Sequence, residues 1–500
     1  MGGVNLPALA ERTSFSHEFI TEHMSEDAQL IFAHFANGTG TSSELVLLNV
    51  ATHPIQPALY FFDRGGQPIA PESVVDVTGD LKVTGDGGLT IQAEMEPLED
   101  LTIATHGRGE LVSGSLQVFS DGAVGGALRY RVPDIGVAAV GAGPAVRDAL
   151  FPARRQQGGT RTAAVIHNLR EEALELRCRL MSGGVVLEET EIPLEANGQA
   201  FWFIEDEFPT TDTSDFVGSV RCTAPSEGLF TAAALEVDAG ARIFTTLPVA
   251  PVGQTVGRGR ETVLDFAHFA NGDGITSELV FVNRQTRLSG PGSTPFHTTF
   301  PGRPTLYFYD TWGNPIAAES MVDVTGDLEI TENSALTVRT EMEPLGVLTI
   351  STHGRGDLVS GSVRVVSEGS IGGMLRYRIP GVGVTGVGAG PPVRDALFPA
   401  RRKEGGIRTA AALRNVGEKA IKLRCRLMSG GVVLEEANIR LEVNGQTSWF
   451  IEQKFPETDT SDFVGSVRCT DPRGGLFTAV ALEVDAGKRI FTTLPVVEVE

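Results

Sequence analysis

Leu174-Glu175-Leu176-Arg177-Cys178-Arg179-Leu180 alternates apolar and charged residues with a period of two. That period marks a β-strand with one face buried and the other in water. Met181-Ser182-Gly183-Gly184 follows and reads as a hairpin turn into a second strand. Further on, Gly218-Ser219-Val220-Arg221-Cys222-Thr223 alternates in the same way. Residues 230–237 and 243–247 are rich in strand formers. Short strands at regular spacing between Gly-rich turns predict a β-sandwich of immunoglobulin-like type. One helical turn is expected within residues 200–208, and again within 448–455, from apolar spacing near i, i+3, i+4.

The same stretch carries the organisation of the chain. RCRLMSGGVVLEE occupies residues 177–189 and recurs unchanged at 424–436, an offset of 247. TDTSDFVGSVRCT (211 and 458), DALFPARR (148 and 395) and RIFTTLPV (242 and 489) keep that offset. Upstream, FAHFANG begins at Phe32 and at Phe266, an offset of 234. An insertion around residues 287–299, rich in Gly, Ser and Pro, accounts for the difference and reads as a surface loop. Each half divides again. Residues 32–49 align without gaps on 151–168, and Gly114-Ser115-Leu116 aligns on Gly218-Ser219-Val220. The expected architecture is all-β, with four tandem Ig-like β-sandwich modules in A-B-A-B order. An N-terminal extension (1–27) is followed by A1 (28–150), B1 (151–250), a linker (251–261), A2 (262–397) and B2 (398–500). Junctions this short predict a semi-rigid rod, hinged near residues 250–260.

Composition narrows the class of function. At 500 residues the chain exceeds one ordinary core. A net charge of −22 argues against nucleic acid, which wants clustered cations, and against anionic lipid. No apolar run is long enough for a membrane-spanning helix, so no membrane insertion is expected. Met1–Pro7 carries no secretory signal pattern.

All four cysteines lie in B modules: Cys178 and Cys222, Cys425 and Cys469. Alternation turns both members of each pair into one core, so they are candidates for a disulfide bridging the two sheets, with buried thiols as the other reading. The inner alignment sets Tyr60 and Val118 at the matching A-module positions.

Candidate sites concentrate in the A modules. His34 and His268 lie in FAHFANG, and His106 and His353 in THGRG. They are ligand or acid–base candidates, or simply turn residues. Asp76 and Asp80, repeated as Asp323 and Asp327, bracket a glycine and are weak candidates for a metal such as calcium, which needs more oxygens than two. Tyr60, Tyr307 and Trp312 are candidate rings for stacking on a sugar. No nucleophile elbow, phosphate loop or zinc pattern is present, so no enzyme activity and no cofactor are expected.

Phe35-Ala36-Asn37-Gly38, residues 44–49, Phe61-Phe62-Asp63 with Gly66 and Pro68, Ser120-Asp121-Gly122 and Phe244–Pro248 form a recurring pattern. It resembles an uncharacterised family of bacterial surface and secreted repeats, over nearly the whole chain apart from residues 1–27. The resemblance implies Ig-type sandwiches on extracellular or cell-surface proteins and carries no catalytic residues. The expected role is structural or adhesive, in a surface, matrix or filament. The partners would be further copies, other surface proteins or glycans. The alternative is carbohydrate binding by the A-module aromatics.

Overall fold

A computed structural model describes residues 28–499 except 158, 226–227, 239, 241–242, 253–260, 286–301, 405, 486 and 488–489. The N-terminal 27 residues, the insertion at 287–299 and most of the expected hinge lie outside the described residues.

The protein is all-β, and every strand pair is antiparallel. Residues 148–251 show why the alternating run matters. Leu174–Ser182 pairs with Val185–Leu194 through a two-residue turn whose glycines, Gly183 and Gly184, have φ of 55° and 75°. Positive φ at both positions is the type I′ geometry, whose twist matches that of the two strands. On the other side Leu174–Ser182 pairs with Asp215–Thr223, which pairs with Asp148–Gln156. Leu174, Leu176, Cys178 and Leu180 face inward and are buried, while Glu175 and Arg177 face water. A four-stranded sheet of Gln199–Phe203, Arg161–Asn168, Phe230–Asp238 and Ile243–Leu247 packs against this face.

Residues 28–141 follow the same plan. One sheet runs Ala28–Asn37, Val112–Ser120, Ala58–Asp63, Leu89–Ile91, Leu81–Val83. The other runs Gly136–Gly141, Val124–Val132, Ser42–Asn49, Asp100–Ala104. The second half repeats both arrangements over 262–388 and 395–498. There the two sheets of the last segment are joined by one pair, Arg402 with Arg408. Asp148–Gln156 is a single strand, so the sequence boundary at 150/151 falls inside it.

Two disulfides form, Cys178–Cys222 and Cys425–Cys469. They do not bridge the sheets as expected. Cys178 and Cys222 stand directly opposite each other on neighbouring strands of one sheet, as do Cys425 and Cys469. The A-module counterpart is also one residue from the expected place. Val118 is paired with Leu59, not Tyr60, and both are fully buried. A one-residue slip exchanges the faces of a strand, so Tyr60 lies on the opposite face from the cysteine position. The expected helical turns form at Ile204–Glu207 and Ile451–Lys454, while residues 199–203 and 446–450 ahead of them are strands.

The largest departure from expectation is the arrangement of the modules. They do not form a rod; the chain closes on itself. Residues 28–141 pack on 148–251 and also on 395–499, while 262–388 pack on 148–252 and on 395–498. At the centre, the edge strands Gly136–Gly141 and Gly383–Gly388 each lie beside both Ile243–Leu247 and Ile490–Leu494. The close approach depends on small residues. Ala138, Ala139 and Thr385 are buried there, and a Cβ on Gly386 would come within 3.0 Å of the Thr246 carbonyl oxygen. The repeated FTTLP phrase thus lies at the centre of the molecule.

Candidate functional site

The candidate residues separate once the strands are placed. FAHF carries a β-bulge: Phe32 is opposite Leu116 but Phe35 is opposite Gly114, so one extra residue sits between them. The bulge brings Phe32 and Phe35, which strict alternation would put on opposite faces, into one core, both at 0% exposure. His34 occupies the bulge. Its Nδ1 lies 3.2 Å from Gln199 Nε2, and its ring stacks on Phe201 at 5.9 Å. Tyr130 donates to the His34 carbonyl at 2.7 Å. His268 repeats the placement against Tyr377. His34 thus fills the junction with the strand Gln199–Phe203.

Burial pulls His34, His167 and His268 down to about 4, with Arg64 adding to the effect at His34. The unfolded chain titrates near 6.5, so between about 6.5 and about 4 it binds protons that the native chain does not. Stability therefore falls as the pH is lowered through that window, by up to about 1.4 kcal/mol per pH unit for each histidine. His268→Gln is expected to lose correspondingly less stability than the parent chain between about pH 7 and about pH 4.5. Urea unfolding at the two pH values checks this, and identical losses would show that His268 does not titrate as argued.

His106 is held in a turn. Its Nε2 donates to the Ser73 carbonyl oxygen at 2.9 Å and its Nδ1 accepts from the Arg108 N–H at 3.1 Å. His353 accepts from Arg355 in the same way. Asp76 and Asp323 are each ion-paired to an arginine, Arg108 and Arg355, and Asp80 and Asp327 are exposed. Among the described residues no three His, Cys, Asp or Glu side chains gather as metal ligands. The aromatic candidates are dispersed. Tyr60 donates to Asp86 at 3.0 Å and packs edge-on to Phe119. Tyr307 is half-buried, and Trp312 is 70% exposed on a turn fixed by Asp310.

The dominant chemistry lies elsewhere, where the two halves meet. Arg129 and Glu483 form an ion pair at 6% and 0% side-chain exposure. Arg129 also reaches Glu44 at 3.1 Å, and Arg401 reaches Glu44 at 2.6 Å. The equivalent set joins the other two modules: Arg376 pairs with Glu236 and with Glu278 (2.7 Å), and Arg154 with Glu278 (2.7 Å). Both sets cross from one half to the other. Beside each, a serine donates across the same junction, Ser466 to the Leu98 carbonyl at 3.1 Å and Ser219 to that of Leu345 at 2.8 Å. Leu98 and Leu345 hold φ of 68° and 61° as the third residues of Pro-containing turns, closed by Glu99 N–H to the Glu96 carbonyl (3.0 Å) and Gly346 N–H to the Glu343 carbonyl (2.8 Å), and these turns present the carbonyls. Within the second half, Asp265 and the fully buried Arg414 make a further pair, where the first half has Ile31 and His167.

Sequence reasoning missed all of these residues. A signal existed: Arg129 within LRYR and Glu236 within AALEV are charges inside strand-like runs, repeated at the 247-residue offset. Between the halves opens a cleft of about 520 Å³, lined by the hairpin tips 131–137 and 378–384 with Ile243 and Gly274. Arg131 and Arg378 stand exposed at its rim, and neither forms an ion pair with a described residue.

Two disulfides suit an oxidising setting. Among the described residues, no helix is long and apolar enough to cross a membrane. No family model and no curated protein matches the chain. Among solved structures, a mutant of the Salmonella alpha-2-macroglobulin aligns over 92% of this chain and 39% of its own, at 9% identity and a TM-score of 0.13. A likeness that weak carries no argument, and the chain spans about two fifths of that protein's length.

Proposed function

We propose that this chain is a non-enzymatic structural or adhesive protein of a cell surface or extracellular matrix, acting as a compact unit with two equivalent sticky edges. One observation carries the reading. Val185, Val186 and Leu187 begin the outermost strand of their sheet at 62%, 47% and 47% exposure, and Val432, Val433 and Leu434 repeat this at 63%, 47% and 47%. Val217 (62%) and Val464 (58%) lie at the same ends of their sheets. An outer strand offers unpaired backbone N–H and C=O groups, and natural edges are ordinarily protected by charge or proline. Here that protection, from Glu189, Glu191 and Pro193, starts only beyond the apolar end. Two such edges on one body let units link through strand-to-strand contact.

The structural roles of His34, His106 and Asp76 support the absence of catalysis in this reading, and the resemblance to surface repeats supports the setting. Carbohydrate binding would rest on Trp312 alone, which has no counterpart in the first half, where Gly65 occupies the position. Val186→Lys with Val433→Lys is expected to abolish concentration-dependent association in sedimentation equilibrium while leaving the fold intact. Association undiminished in that variant would overturn the proposal.

A further inference from the structure

The contacts that close the chain do not distinguish one half from the other. The A1–B2 junction uses Glu44, Arg129, Arg401 and Glu483, and the A2–B1 junction uses their equivalents, Glu278, Arg376, Arg154 and Glu236. Ser466 with Leu98 and Ser219 with Leu345 repeat the same hydrogen bond. The apolar part is also matched. Leu48, Val50 and Leu397 pack with Val497 and Val499 on one side, and Val282 and Leu150 with Ala250 and Val252 on the other. Each half therefore carries one A face and one B face, and docking two halves satisfies both junctions at once. That is the condition for a two-fold, self-complementary interface.

We infer that this interface also joins separate copies of the chain, with the first half of one molecule docking on the second half of another. The contacts formed between chains are those formed within one, so nothing in the ion networks selects against the exchange. What favours the closed single chain is the tether, which holds the two halves at a high effective concentration. When chains fold in crowded conditions, the tether's advantage shrinks. Reciprocal exchange then gives a dimer in which every junction is filled. Exchange that passes from one chain to the next gives a filament of compact units. The interface is distinct from the exposed edges 185–187 and 432–434, so this mode and edge pairing succeed or fail independently.

The test uses the full chain carrying one of two fluorophores. The two preparations are unfolded together and refolded at low and at high concentration, then diluted and sized by light scattering. The low-concentration sample is expected to contain single chains of 53.1 kDa. The high-concentration sample is expected to contain species of two or more times that mass that carry both labels and persist on dilution. Native chains mixed without unfolding should not share labels in this way. Val186→Lys with Val433→Lys should leave the labelled multimers unchanged. Single chains at every refolding concentration would overturn the inference. So would multimers that disappear in the lysine variant, since they would then be edge-paired.

Discussion

Arg129→Met is expected to destabilise the chain by roughly 3–5 kcal/mol, the cost of stranding a buried charge. Glu483 is at 0% side-chain exposure, and Arg129 is its ion-pair partner among the described residues. Removing the guanidinium leaves a carboxylate with no water and no cation, and it must either stay charged at great cost or take up a proton. Glu44 is less affected because Arg401 still reaches it at 2.6 Å. The sign reverses when both partners go. Arg129→Met with Glu483→Leu is expected to recover most of the loss, since an apolar pair of similar volume avoids the desolvation that the ion pair must overcome. Denaturant unfolding of the single and double variants checks both statements. A single variant within about 0.5 kcal/mol of the parent, the range of an ordinary surface substitution, would show that the two halves do not meet there.

The second large effect concerns the disulfides. Each closes 44 residues, and the chain-entropy treatment of a loop that size gives about 4 kcal/mol. The A modules supply the control. Leu59 and Val118, fully buried, occupy the positions of Cys178 and Cys222, so the sheet accepts an apolar pair there. Cys178→Leu with Cys222→Val is therefore expected to fold with its packing kept and only the cross-link lost. Its unfolding should be easier by about 2–4 kcal/mol. Reductant should then weaken the parent further than the variant, because the variant keeps only Cys425–Cys469. Equal sensitivity to reductant would show that the 178–222 link adds nothing to stability.

Much of the fold was legible in the sequence because β-structure writes itself in period two. The strand 174–182, its glycine turn and the inward cysteines follow directly from alternation. The A-module strand 58–63 misled by one residue because Leu59-Tyr60-Phe61-Phe62 has no alternation to set the face. The bulge at His34 is hidden for a related reason. Phe32 and Phe35 break the period, and only the partner strand shows that both point inward. An inter-sheet disulfide is as consistent with alternation as an in-sheet one, because alternation tells which way a side chain faces but not which strand is its neighbour.

The closed arrangement was the least legible. Short junctions suggest stiffness, whereas the deciding information lies in charged residues on strands. Arg129, Arg376, Glu236 and Glu483 look like solvent-facing positions until a second module covers them. Their identity in both copies was visible, but identity between near-duplicates of 247 residues does not by itself separate an interface from inheritance. The candidate histidines lie in the A modules, but for His34 the partners Gln199 and Phe201 come from the neighbouring module, which no local pattern shows.

Small-angle scattering of the full chain at low concentration tests the closed arrangement most directly. A compact body of this length has a radius of gyration of about 23 Å. The closed chain is expected to give a value near that, with a single-peaked distance distribution. A radius of gyration well above it, with a long-tailed distribution of separated modules, would contradict the closure and restore the rod.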